Sequence, residues 1–155
     1  MNLNPFETLL ADFAEKTGVA PLGTGANSVD VVADGVLVSA QYRPELEDCV
    51  IFTLPVADLE PDAAMLRRAL ELSANGDGTF GHFLGMTEGM LVLSSVLPLR
   101  GLSTEDFGKR LLDLAAASRR VAEALAQASA DGESSGGESV ADLEHQYVGA
   151  DFMQV

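Results

Sequence analysis

Positive charge and cysteine are both scarce in this 155-residue chain. Nine Lys and Arg stand against 24 Asp and Glu, giving a formal net charge of -15. A surface of that sign repels polyanions and gains nothing from releasing phosphate counterions, so no nucleic acid is expected as a partner. Cys49 is the only cysteine, which excludes an internal disulfide and gives no sign of an oxidising compartment. In its short apolar run it reads as a small buried side chain rather than a reactive thiol. The first ten residues contain no basic segment and no signal-like apolar run, and no stretch approaches the roughly 20 apolar residues of a membrane span. The chain is therefore expected to be cytoplasmic, with no membrane partner.

Histidine is equally thin: His82 falls in an expected strand and His145 near the end of the chain. Two distant imidazoles and one thiol supply no convergent acid–base or metal constellation, so no catalytic residue, metal or cofactor is assigned. His82, beside Phe80 and Phe83, reads as a structural or dimer-contact residue. The acids Asp30, Asp34, Glu45, Glu47 and Asp48 read as turn and surface groups. Asn75-Gly76-Asp77-Gly78 lacks the closing Glu of a calcium loop and reads as a helix-ending turn. Gly23-Thr24-Gly25 is not followed by Gly-Lys-Ser/Thr, and reads as a flexible connection rather than a phosphate cradle.

Apolar residues are not scarce. They make up 47% of the chain, too many for a disordered acidic protein and enough for one α/β domain with a core. Asn4 as N-cap, Pro5 at the first helical position and Phe6, Leu9, Leu10 and Phe13 at helical spacing predict an amphipathic helix that stops at Gly18. Residues 28–43 turn extended around Asp34-Gly35, a pair suited to a tight hairpin turn. Residues 49–54, with Val50, Ile51 and Phe52, predict a third strand ended by Pro55. Between residues 61 and 75, Met65, Leu66, Ala69, Leu70 and Leu72 share one helical face. Residues 80–86 and 90–97 then read as two strands around a Thr87-Glu88-Gly89 connection. Ser103 and Asp106 open a long third helix whose stripe is Phe107, Leu111, Leu114, Val121 and Leu125. Lys109 with Asp113 and Arg119 with Glu123 are spaced for ion pairs on its outer face.

After residue 130 the composition becomes Ser, Gly and Glu, so 1–130 is taken as the folded domain and 131–155 as a flexible acidic tail. The tail holds six acids and no Lys or Arg, which places -6 of the net charge there. Tyr147, Val148, Phe152, Met153 and Val155 are unusual in a purely solvating tail and suggest that its end docks somewhere.

The order helix, three strands, helix, two strands, helix in a small acidic chain resembles the type III secretion chaperones of the Tir-chaperone type. The resemblance spans residues 5–127. Its most specific parts are Ile51-Phe52-Thr53-Leu54-Pro55, the helix from Ala64 to Asn75, and the hairpin from Leu84 to a closing Leu97-Pro98-Leu99. The Ser-rich tail lies outside the family core, and Ser94-Ser95-Val96 stands where many relatives are more charged.

The resemblance implies an α+β fold, an antiparallel twisted sheet with helices, in a homodimer. It implies a dimer interface on the second helix and the following strand, here Met65, Leu66, Ala69, Leu70, Leu72, Phe80 and Phe83. The implied activity is capture of the N-terminal segment of a secreted effector, held extended and soluble for the secretion apparatus, without nucleotide. Candidate partner-binding residues are Phe6, Leu9, Leu10, Phe13, Val38, Phe52, Met86 and Met90; the flexible thioethers suit a surface that accepts varied apolar sequences. The rival is a regulatory binding module on the same fold, an anti-activator or YbjN-like protein that sequesters a protein partner.

Overall fold

A computed structural model describes residues 4–57, 60–74 and 76–134. Its elements in chain order are α1 (Pro5–Thr17), β1 (Leu22–Gly25), β2 (Ser28–Ala33), β3 (Val36–Arg43), β4 (Cys49–Pro55), α2 (Ala63–Ser73), β5 (Phe83–Thr87), β6 (Met90–Pro98) and α3 (Thr104–Ser134). The strands form one sheet in the order β1-β2-β3-β4-β6-β5, antiparallel at every step.

Local chemistry starts each helix where the sequence leads one to expect it. The Asn4 side chain accepts from the Glu7 amide at 2.8 Å while the Glu7 carboxylate accepts from the Asn4 amide at 2.9 Å, a reciprocal cap on α1. Asp62 caps α2 by accepting from the Met65 amide at 2.7 Å, and Ser103 caps α3 by accepting from the Asp106 amide at 3.0 Å. Two of the hairpin turns, β2–β3 and β5–β6, take a left-handed backbone at both central residues: Asp34 and Gly35 have φ of 49° and 76°, Glu88 and Gly89 of 51° and 80°.

Alternation along the strands separates two faces. Val31, Val38, Ala40, Val50, Phe52, Leu54, Leu91 and Leu93 point into a single buried cluster with Phe6, Leu9 and Phe13 of α1, Ala69 and Leu72 of α2, and Phe107, Leu111, Leu114, Val121 and Leu125 of α3. Phe107 is the hub, with ring centroids 5.1 Å from Phe13 and 5.4 Å from Phe52. On the other face Asp30, Ser39, Thr53, Ser94 and Phe83 stand in register across five strands. Ser39 donates to Asp30 at 2.6 Å and Thr53 lies 3.3 Å from Ser94, so a polar ladder crosses this open face.

Four local expectations are corrected. The Gly-rich stretch at residues 23–25 belongs to a sixth strand, not a flexible connection. All four β1 residues are exposed, so main-chain pairing to β2 and the Thr24 hydroxyl donating to Ser28 at 2.9 Å hold it, and no apolar alternation announces it. The fifth strand begins at Phe83 instead of residue 80, because Phe80 and Gly81 take φ of 55° and 78° in a turn. The long helix runs on through Asp131-Gly132-Glu133-Ser134, expected as linker, since extending a formed helix costs far less than nucleating one. The i,i+4 pairs of Lys109 with Asp113 and Arg119 with Glu123 are absent from the ion pairs among the described residues. Arg119 instead grips both the carboxylate and the main-chain carbonyl of Asp34 in the β2–β3 turn. The remaining tail, residues 135–155, lies outside the described residues, and with it the expected docking of Tyr147 to Val155.

Candidate partner-binding surfaces

Of the residues singled out for partner contact, Phe6, Leu9, Phe13, Val38 and Phe52 are buried in the protomer core. Their side chains hold α1 and α3 on the sheet and present almost no surface to another chain. Leu10 is half-buried. Met86 and Met90 are 53% and 37% exposed. Among the dimer-contact candidates, Ala69 and Leu72 are also core residues, while Met65 and Leu66 are half-buried. Leu70 and Phe83 are 74% and 66% exposed, more than any other large apolar side chain described.

The exposed apolar residues gather in two places. At one edge of the sheet, α2 lies beside β5, and Leu66, Leu70, Leu84 and Met86 surround an apolar cavity of about 280 Å³. β5 is the last strand, so its outer main-chain groups have no strand partner there.

At the opposite edge, β1 pairs only with Ser28, Val29 and Asp30 of β2, which leaves Val31, Val32 and Ala33 without a strand on that side. Beside this open stretch, Phe13, Val19, Val31, Val32, Leu111 and Leu112 line a second apolar cavity of about 250 Å³. Val19, Val32 and Leu112 are exposed, and Leu37, paired with Val32 across the hairpin, is exposed with them. Sequence reasoning missed all four. The available signal was the unbroken Val31-Val32 and Leu37-Val38 pairs: where neighbouring residues of a strand are both apolar, one of them must face away from the core.

Buried polar groups are few. Thr79 donates to the His82 carbonyl at 2.7 Å, closing the turn before β5. His82 is only 8% exposed, and its Nδ1 has no partner among the described residues. Burial, then the nearby Arg110, hold its pKa below the usual histidine value, while Asp113 pulls the other way. At the far end of α3, Ser129 donates to Asp62 at 2.5 Å. That contact, ahead of the Met65 amide, holds the Asp62 carboxyl below its ordinary range and ties the end of α3 to the start of α2. No group of three or more His, Cys, Asp or Glu among the described residues could hold a metal ion. No described helix is long and apolar enough to cross a membrane.

Comparison with known proteins adds three findings. Residues 8–122 match the family described as Tir chaperone protein (CesT) family. No curated protein matches the chain. A chain of the solved "Structure of the HopA1-SchA Chaperone-Effector Complex" is similar to this one, with a TM-score of 0.62 at 20% identity over 77% of this chain and 94% of that one. At that identity the likeness concerns the fold.

Proposed function

Because the chain belongs to the Tir chaperone protein (CesT) family and is a type III secretion effector chaperone, we propose that it captures the N-terminal segment of a secreted effector in extended form. The observation that carries this is the open β2 edge at residues 31–33 lying beside the apolar groove of Val19, Val32 and Leu112. An extended peptide placed there would hydrogen-bond the free main-chain groups and seat alternate side chains in the groove, which joins the two main sources of peptide affinity. No nucleotide or metal takes part. The protein works in the cytoplasm as a homodimer, joined through the α2–β5 surface around Leu70 and Phe83, and hands its cargo to the secretion apparatus.

The test is calorimetry with the N-terminal segment of the cognate effector against Val32→Asp and Leu112→Asp. Both side chains are more than half exposed in the protomer, so the melting temperature should hold. Loss of one buried apolar anchor, about 1.5–3 kcal/mol, should weaken binding roughly 10- to 100-fold. Undiminished binding by both variants would move the site away from this groove.

A further inference from the structure

The β2 edge is open at Val31, Val32 and Ala33, and the main-chain groups there do not all face outwards. In an antiparallel pair, residues that bond their partner alternate with residues whose N–H and C=O point to the other side. The Tyr42 amide donates to the Asn27 carbonyl at 2.7 Å, which makes Asn27 and Tyr42 a bonded pair. Stepping by two along the register, Val29 with Ala40, Val31 with Val38 and Ala33 with Val36 are bonded pairs as well. Asp30 and Val32 therefore turn their N–H and C=O away from β3. Asp30 meets Leu22 of β1, whereas Val32 has no main-chain partner on that side among the described residues. The open edge thus presents one donor and one acceptor, both on Val32.

Side chains divide the same stretch between two faces. Val31 and Ala33 are buried towards the helices, on the side of the groove of Phe13, Val19, Leu111 and Leu112. Val32 points to the opposite face, where it and its cross-strand neighbour Leu37 are both exposed. Opposed residues share a face, so a residue paired with Val32 lays its side chain beside those two, and the residues before and after it enter the groove. All three positions are apolar. Asp34 is the one charged residue lining the groove and Arg119 already pairs with it, so a charged side chain seated there would lose its water and gain no partner. At about 250 Å³ the groove is small beside ordinary ligand pockets, and it suits two branched aliphatic side chains of an extended strand.

Given peptide capture at the β2 edge, on which this rests, we propose that the effector segment seated there is an unbroken apolar triplet. It runs antiparallel to β2, as every strand pair in the sheet does, and its middle residue bonds twice to Val32. That residue is not proline, since its N–H is needed. Strand addition to a sheet with one solvated face ordinarily selects alternate apolar residues, whereas this edge selects three in a row. The paired stretch cannot lengthen. Leu22 occupies the edge at one end, and the Asp34-Gly35 turn, tied to α3 by Arg119, closes the other.

Synthetic peptides with Ser-Gly flanks, titrated into the full chain and followed by NMR, provide the test. Val-Ile-Val should shift the amides of residues 31–33. Val-Ser-Val, which loses only the contact with Val32 and Leu37, should bind about 3- to 5-fold more weakly. Ser-Ile-Ser, which empties the groove, should bind at least about 10-fold more weakly. N-methylation of the central Ile removes the donor to the Val32 carbonyl and should abolish the shifts. In Leu37→Ser, an exposed change, the difference between Val-Ile-Val and Val-Ser-Val should shrink. Val-Ser-Val binding as tightly as Val-Ile-Val, with shifts still at residues 31–33, would overturn the triplet and leave edge capture standing. Val-Ile-Val that leaves residues 31–33 unshifted, or that binds equally well when N-methylated, would overturn both.

Discussion

Replacing Leu70 by Asp separates assembly from folding, because the side chain belongs to no core. It is 74% exposed in the protomer, on the outer side of α2. An exposed helical Leu→Asp change away from a cap or a core contact should alter protomer stability by no more than about 0.5 kcal/mol. In a homodimer joined through α2 and β5 the cost is of another kind. An unpaired carboxylate trapped in an apolar interface costs about 3 kcal/mol, and two-fold symmetry buries it twice. Roughly 6 kcal/mol corresponds to a Kd raised by about four orders of magnitude, from nanomolar to tens of micromolar. Sedimentation equilibrium at a few micromolar should therefore find dimers of the parent chain and monomers of the variant. The variant's melt should remain cooperative but lose its dependence on protein concentration. Leu66 makes a poorer probe, since it packs against the core and its substitution would also damage the protomer. If Leu70→Asp sediments as a dimer with unchanged melting, the interface lies elsewhere.

Three further outcomes follow from the packing. Phe107→Ala, which empties the site between Phe13 and Phe52, should cost about 3–5 kcal/mol in chemical denaturation, and a loss under 1 kcal/mol would deny Phe107 its place as hub. Ending the chain after Ser134 should preserve a cooperative melt, because Leu125 is the last buried side chain among the described residues; loss of the transition would make residues 135–155 part of the fold. His82 has a folded pKa below its unfolded one, so the unfolded chain binds the extra proton, and the stability present above about pH 6.5 should fall as pH drops towards the folded value. The melting temperature of His82→Gln should lack that part of the fall, and parallel pH profiles would refute it.

The elements that could be read from the sequence are those whose signals are local. Asn4-Pro5, Asp34-Gly35 and Ser103 to Asp106 each satisfy particular main-chain groups, and the stripe from Phe107 to Leu125 can bury itself in only one way. What escaped is decided by neighbours distant in the chain. β1 exists because β2 offers it main-chain partners, and its residues 22–25 carry no pattern of their own. Arg119 finds Asp34, 85 residues away, in preference to Glu123. Which apolar side chains stay exposed was the least legible part. The same apolar stripe that marks Phe6, Leu9 and Phe13 as important also drives them into the core, so the apolar side chains left exposed are the second members of apolar pairs, such as Val32 and Leu112.

The central claim is that an extended N-terminal segment suffices for binding and adds to the open β2 edge. Hydrogen exchange of the chaperone, measured with and without the effector's N-terminal segment in EDTA and without nucleotide, tests it most directly. Added protection at the amides of residues 31–33, with most of the segment's own amides still exchanging fast, is the expected result. No added protection there, or binding only when the effector's folded domain is present, would contradict it.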